Sequence, residues 1–248
     1  MPMKKLLSLL LTFSLVLSIA ACGNSGSESD CSSEPSSVIS GQASESDGAA
    51  EPGDSNADAN LSDTNSGEQT NHILVAYFSW ADNAILAEGV DAVTSPSVVS
   101  PGNVQQLAGW VQEETGGELF SIQVTDPYPS DWDECLARAN QERGDQARPE
   151  LIANVENMEQ YDTVFLGYPN WWYGVPMALL SFIEQNDLSG KQVYLFCSHG
   201  TGGLANSVEQ ITDAAPAAVI SDNIFHCYEE DAASSQEDIR NWIAELGY

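Results

Sequence analysis

The sequence predicts an α/β domain whose sheet is mainly parallel and covered by helices on both faces. Apolar strand-like runs alternate with amphipathic helical patterns across residues 72–248, the order that yields parallel strands joined by helical crossovers. One of these runs, Thr163-Val164-Phe165-Leu166-Gly167-Tyr168-Pro169, is apolar almost throughout, the pattern of a strand buried on both faces. The span is also long enough for one domain with a full core.

The elements follow in chain order. Residues 72–79, His-Ile-Leu-Val-Ala-Tyr-Phe-Ser, read as the first strand. A helix starts at Gly102-Asn103-Val104, with Val104, Leu107, Ala108 and Val111 on one face, and Gly116-Gly117 ends it. Residues 118–124 alternate as a strand. Glu134 stands three positions after Asp131, a capping pattern for a helix running to about Gln146. Residues 162–168 form the third strand, 176–185 a helix, 192–197 a strand and 204–214 a helix. Residues 217–220 and 224–227 read as a broken last strand. Residues 235–246 close the chain as a helix capped by Ser234 or Ser235.

The two ends of the chain differ in composition. Residues 1–21 hold Lys4 and Lys5, then a Leu-rich apolar run, then small residues up to Cys22, the layout of a secretory signal and too short for a membrane span. Ile19-Ala20-Ala21-Cys22 resembles a bacterial lipobox. The resemblance implies that Cys22 is lipidated, becomes the mature N-terminus and anchors the protein to a cell membrane on its extracytoplasmic side; an ordinary signal peptide with an incidental Cys is the alternative. Residues 22–71 then read as the lipidated Cys and a disordered acidic tether, rich in Ser, Asp, Glu, Asn and Gly and without Lys or Arg. Cys31 has no evident role there.

Charge narrows the partners. The whole chain holds 7 basic and 37 acidic residues. Residues 72–248 hold 27 acidic and 5 basic ones, a net of −22. That excess argues against nucleic acid and anionic lipid as partners of the domain. It suits a basic partner or simply a solvated face. Cys135, Cys197 and Cys227 are too sparse for a metal set or a disulfide scaffold and read as small buried side chains.

In a doubly wound sheet the ligand sits beyond the carboxyl ends of the strands, and three loops there draw notice. The first is Ser79-Trp80-Ala81-Asp82-Asn83, resuming at Ser100-Pro101-Gly102-Asn103-Val104. The second is Pro169-Asn170-Trp171-Trp172-Tyr173-Gly174. The third is Ser198-His199-Gly200-Thr201-Gly202-Gly203. A hydroxyl- and glycine-bearing loop that feeds a helix amino end suits an anion. Successive aromatics suit a flat ring, although core packing is an equal reading of them. Phosphate plus flat ring describes flavin mononucleotide (FMN). No Walker sequence and no GxGxxG follows the first strand. His199 invites a proton-transfer role or a plain loop hydrogen bond; His72 and His226 read as structural. Nothing suggests a metal.

These motifs, Val75-Ala76-Tyr77-Phe78-Ser79-Trp80, Gly102-Asn103-Val104, Gly167-Tyr168-Pro169-Asn170-Trp171-Trp172 and Ser198-His199-Gly200-Thr201-Gly202-Gly203, resemble those of the flavodoxin-like flavoproteins, in the branch with Gly-Tyr-Pro-x-Trp-Trp after the third strand. The resemblance implies a five-stranded flavodoxin-like doubly wound sheet of order 2-1-3-4-5 and a noncovalent FMN. It implies that Ser79 and Trp80 open the phosphate loop and that Gly102, Asn103 and Val104 close it. It places Pro169, Asn170, Trp171, Trp172, Tyr173 and Gly174 on one side of the isoalloxazine ring, and Ser198, His199, Gly200, Thr201, Gly202 and Gly203 on the other. Two departures stand out. Residues 81–101 split a loop that is usually compact, and Val104 replaces a common Thr, so that Ser100, Ser97 or Thr94 is left to supply a hydroxyl. Asp82, if close, would repel a phosphate, and the split segment is expected to form a rim or flap beside the ring. Three functions are open: an electron carrier at the cell envelope, an FMN-dependent NAD(P)H:quinone-type oxidoreductase, and a non-redox flavin-binding module. The electron partner is a redox protein or a small acceptor.

Overall fold

Strand β1 (Ile73–Tyr77) is buried along its whole length, and its side chains divide by the two-residue period of a pleated strand. Ile73, Val75 and Tyr77 enter one apolar cluster; Leu74, Ala76 and the following Phe78 enter another. The same division holds for β5 (Thr163–Pro169) and β6 (Gln192–His199). A strand with apolar residues on both faces needs cover on both, and the helices supply it. Helices α1 (Asn103–Thr115) and α5 (Gln236–Leu246) cover one face through Val104, Leu107, Val111, Ile239 and Trp242. Helices α2 (Trp132–Gly144), α3 (Met177–Gln185) and α4 (Ser207–Ala214) cover the other through Cys135, Leu179, Phe182 and Ile211. Each such large side chain contributes about 1.5–3 kcal/mol on burial. The computed structural model describes residues 72–86 and 97–248. The signal, lipobox and tether expected over residues 1–71 lie outside the described residues.

The remaining strands are β2 (Ala84–Ile85), β3 (Glu118–Ser121), β4 (Tyr128–Pro129), β7 (Val219–Ile220) and β8 (Phe225–Tyr228). The main sheet is parallel throughout and runs β3-β1-β5-β6, with β7 and β8 both paired to β6. This is the order 2-1-3-4-5, with the fifth position filled by two short strands. The expected break in the last strand is therefore real. It puts Val219 opposite Gln192 at the amino end of β6 and Tyr228 opposite His199 at its carboxyl end.

Several boundaries differ from expectation for local reasons. The strand expected over 118–124 leaves the sheet after Ser121: Ile122 N–H still reaches Tyr77 O at 2.8 Å, but Val124 pairs instead with Leu151. Strand β6 runs two residues further than expected, because Ser198 and His199 pair with Cys227 and Tyr228. Helix α4 starts at Ser207 rather than 204, after a run of turns that includes Gly203 (φ +58°) and Ala205 (φ +41°). Neither Ser234 nor Ser235 caps α5 through its side chain; both hydroxyls donate to Asp231 O at 2.9 Å. Asp131 does cap α2, accepting from Glu134 N–H at 3.0 Å. Gly167 is required in mid-strand: a Cβ there would lie 2.2 Å from the Phe196 ring, which packs directly on the backbone. An unexpected two-stranded ribbon pairs β2 with β4, Ala84 against Tyr128 and Ile85 against Pro129.

Candidate functional site

The carboxyl ends of β1, β5, β6 and β8 converge on a cavity of about 300 Å³. The loop after β1 is tied down by side-chain hydrogen bonds. Asn83 locks it: its amide donates to Ser79 O and Ile122 O, each at 2.9 Å, and its oxygen accepts from Val124 N–H at 2.8 Å. Ser79 is buried; Trp80 is buried too, donates from Nε1 to Pro129 O at 3.1 Å, and turns its ring to the cavity. Asp82 is held by Ser121, whose hydroxyl donates to it at 2.6 Å.

Gly102 meets the loop from the other side, and a Cβ on it would lie 2.6 Å from Ser79 Oγ and 2.8 Å from Ser97 O. The two halves of the split loop are therefore in contact. Asn103 turns inward: its amide donates to Glu229 O at 2.8 Å and Ser198 Oγ at 3.3 Å, tying the start of α1 to the ends of β6 and β8. Val104 belongs to the core under α1. Of the three hydroxyl candidates, Ser97 lines the cavity, Ser100 donates to Gln105 Oε1 at 3.3 Å, and Thr94 lies outside the described residues.

The loop after β5 closes as a tight turn. Trp171 N–H bonds Gly174 O at 2.8 Å and Gly174 N–H bonds Trp171 O at 3.1 Å. Between them Trp172 and Tyr173 both have positive φ, +47° and +70°. This is a two-residue turn of the kind that normally calls for Asn-Gly, so two aromatic residues occupy a strained backbone. The strain is held from outside: Arg143 on α2 donates to Trp171 O at 2.9 Å, and Asn206 N–H reaches Tyr173 O at 3.2 Å.

The turn separates the aromatics. Trp171 is buried with its ring edge-on to Phe78 (5.3 Å), Tyr128 (5.1 Å) and Trp80 (6.0 Å). Trp172 is half-buried, and Tyr173 is exposed with its ring 3.2 Å from where a Cβ on Gly202 would stand. Trp132, the first residue of α2, completes a ring of four indoles: Trp80, Trp171, Trp172 and Trp132 follow one another at centroid distances of 5.4–6.1 Å.

The opposite wall is mostly backbone. Ser198, His199, Gly200, Thr201 and Gly202 line it, and Pro169 and Asn170 close its base. Asn170 joins the walls, its N–H bonding Ser198 O at 2.9 Å and its amide donating to Gly203 O. Asn170 Oδ1 is buried without a hydrogen-bond partner. Gly203 and Gly174 are outside the cavity lining; a Cβ on Gly174 would lie 2.5 Å from Gln210 Oε1. His199 Nδ1 faces Gly200 O at 2.9 Å, and its Nε2 faces His226 Nδ1 at 3.0 Å. His226, expected to be structural, is thus the partner of His199, and both ring nitrogens of His199 are engaged. Burial, and secondarily His199, pushes the His226 pKa down. Burial raises the Cys197 thiol, which keeps it protonated and inert. Burial also raises Glu229, with Glu230 adding and His199 opposing.

Sequence comparison places this geometry. A family model described as flavodoxin matches residues 72–246. The chain belongs to the flavodoxin family. Among solved structures it is similar to a candidate flavoprotein of Bacteroides eggerthii, at 27% identity over 71% of this chain and 98% of that one, with a TM-score of 0.55. A candidate flavoprotein of Bacteroides uniformis is similar at 26% identity over 70% and 98%, with a TM-score of 0.55. Among curated proteins none matches the chain.

Four residues outside the sequence motifs also line this cavity: Ser97, Trp132, Tyr228 and Glu229. Tyr228 and Glu229 end the fifth strand position, and the carboxyl-end rule applied to that strand would have found them. Trp132 carries no linear signal. It starts a helix far from the other site motifs in sequence, and only the ribbon β2–β4 brings that start beside Trp80.

Proposed function

We propose that this flavodoxin-family domain binds FMN and transfers electrons at the cell envelope. The observation that carries the reading is the cavity itself: four indoles wall one side, a backbone loop walls the other, and the buried Asn170 Oδ1 lacks a partner. A flat heteroaromatic ring with an N–H group matches that set, since stacking uses the aromatic faces and the orphan acceptor takes the donor. Trp172 and Tyr173 would flank the ring on the β5 side. The backbone of residues 199–202 would approach it on the other, and Ser97 with the amino end of α1 would lie toward the phosphate.

When bound, the flavin supplies the electron chemistry, and the protein tunes it by stacking, hydrogen bonding and charge. The chain's own residues exclude water with the indole ring and fix the two walls through Asn170 and Asn103. Glu229 places a carboxyl in the lining, which disfavours added negative charge there. The envelope location is supported by the signal-like residues 1–21 and the lipobox-like Ile19-Ala20-Ala21-Cys22.

The test is to purify the full chain, denature it and identify the released chromophore by mass. FMN near one per chain is expected. Absence of any flavin, with none taken up on titration, overturns the cofactor reading. For location, Cys22→Ala should move the protein from the membrane to the soluble fraction of a bacterial host; unchanged attachment contradicts the lipid anchor.

A further inference from the structure

Positive charge is scarce at the cavity. All five basic side chains of residues 72–248 are engaged. Arg138, Arg148 and Arg240 pair with carboxylates within 3.2 Å, and Arg143 and Lys191 donate to the carbonyls of Trp171 and Tyr161. None of the five lines the cavity, whose described lining holds one carboxylate, Glu229. Among the described lining residues, His199 alone can become a cation.

His199 does not stand by itself. Its Nδ1 lies 2.9 Å from Gly200 O, and a carbonyl only accepts, so Nδ1 carries a proton. Its Nε2 lies 3.0 Å from His226 Nδ1. In the neutral pair His199 Nε2 is therefore the acceptor and His226 Nδ1 the donor. One further proton keeps that bond, because the bridging proton can then belong to either ring. A second would set two N–H groups head to head at 3.0 Å. The pair thus titrates as a unit, taking one proton readily and the next against repulsion.

The pair also reaches from the cavity to solvent. His199 is half-buried and lines the cavity, whereas His226 is exposed. Both imidazoles line a groove between β8 and the start of α5, together with Cys227, Asp231 and Asp238. Tyr228, with its ring 6.3 Å from that of His199, and Glu229 face the pair from the end of β8. These titratable neighbours are acids, so none opposes a positive charge on the pair.

We propose that the His199–His226 pair is the proton-linked counter-charge of the site: it takes up one proton when negative charge is added to a ring held in the cavity. An external one-electron donor supplies the electron. Solvent supplies the proton to Nε2 of His226, and the Nδ1 proton of His226 moves to Nε2 of His199. No heavy-atom bond forms or breaks, and the added charges cancel. His226 is a positioning residue that acts through His199. The proposal rests on the FMN reading for the electron; the shared proton is a property of the pair alone.

The test is an NMR pH titration of the imidazole signals of the full-length protein. The chain has three histidines, and His72, just before the amino end of β1, is the internal reference. Without flavin, His199 and His226 should titrate in two separated steps, the first moving both signals together. With FMN bound, reduction by dithionite should raise the proton affinity in that first step about tenfold and leave His72 unchanged. The midpoint potential read at each pH gives a second measure. His199→Gln should bind reduced FMN, relative to oxidised FMN, about tenfold more weakly than wild type near pH 6, and the gap should close near pH 9, where the pair is neutral. In His226→Gln the midpoint potential should rise toward acid only at lower pH than in wild type, an effect that a purely structural role would not produce.

Two imidazoles that titrate independently overturn the shared proton. A first step at the same pH with oxidised and reduced FMN overturns the counter-charge, and so does a His199→Gln gap of equal size at both pH values. If His199→Gln does not fold, the wild-type titration decides. Absence of bound flavin is seen in the visible spectrum and overturns the FMN reading itself, while the flavin-free titration still decides the shared proton.

Discussion

The cavity wall after β5 and the wall after β6 face each other across the same space, but one is held by packed aromatic rings and the other by hydrogen bonds. On the β5 side Trp171 is locked edge-on against Phe78, Trp80 and Tyr128, so the wall is an outgrowth of the core. On the β6 side Gly200, Thr201 and Gly202 offer few side-chain contacts, and the wall depends on single hydrogen bonds such as those from Asn170. Damage to the first wall should appear as lost stability, and damage to the second as a lost or altered site. The distinction recurs between neighbours. Trp171 and Trp172 are adjacent in sequence, yet the turn at positive φ buries one and leaves the other at the cavity.

The sharpest way to break the comparison is Trp171→Ala. Removing a buried Trp with four aromatic neighbours should cost about 3–5 kcal/mol of unfolding free energy, measured by urea denaturation of the full chain. A loss below about 1 kcal/mol would mean that the wall is not part of the core. Tyr173→Gly should act in the opposite direction. Gly accepts the left-handed backbone at no steric cost, so relief of strain should raise stability by about 1 kcal/mol. The Tyr173 side chain is mostly exposed and gives little back. A clear loss of stability would show that the ring packs more firmly than its exposure indicates.

The smallest effect concerns Glu229. Its folded pKa is raised above the ordinary 4.5, chiefly by burial, so the charged form is disfavoured in the fold. The cost is absent below pH 4.5, grows as pH rises through the folded pKa, and is constant above it. Glu229→Gln should therefore stabilise the domain at pH 7 and have no such effect at pH 4. A gain that is equal at both pH values would assign the effect to something other than charge.

The fold was largely legible because both of its signals are local. Continuous apolar runs marked strands buried on both faces, the helical spacing of Val104, Leu107, Ala108 and Val111 marked the face that α1 lays on them, and the paired Asp131 and Glu134 marked a helix start. The site was legible in its motifs and not in its geometry. Trp171-Trp172-Tyr173 reads as extended because aromatic residues favour strands and rarely take positive φ. The bonds that force the turn come from Arg143 and Asn206, remote in sequence. His226 is separated from His199 by a helix and the broken strand, and only the β6–β8 register brings the two imidazoles together. The amide of Asn103 joins α1 to β6 and β8, a link between segments remote in sequence that its motif does not show.

The central claim is that the space between the two walls holds a flavin ring. The most direct measurement is a titration of riboflavin, which has the ring and no phosphate, into flavin-free full-length protein, followed by quenching of flavin fluorescence. The account predicts saturation at one riboflavin per chain. It also predicts that Trp172→Ala, which leaves the Trp171 core in place, weakens that binding by about 1–3 kcal/mol. Riboflavin that does not bind, or that binds wild type and Trp172→Ala equally, would contradict it.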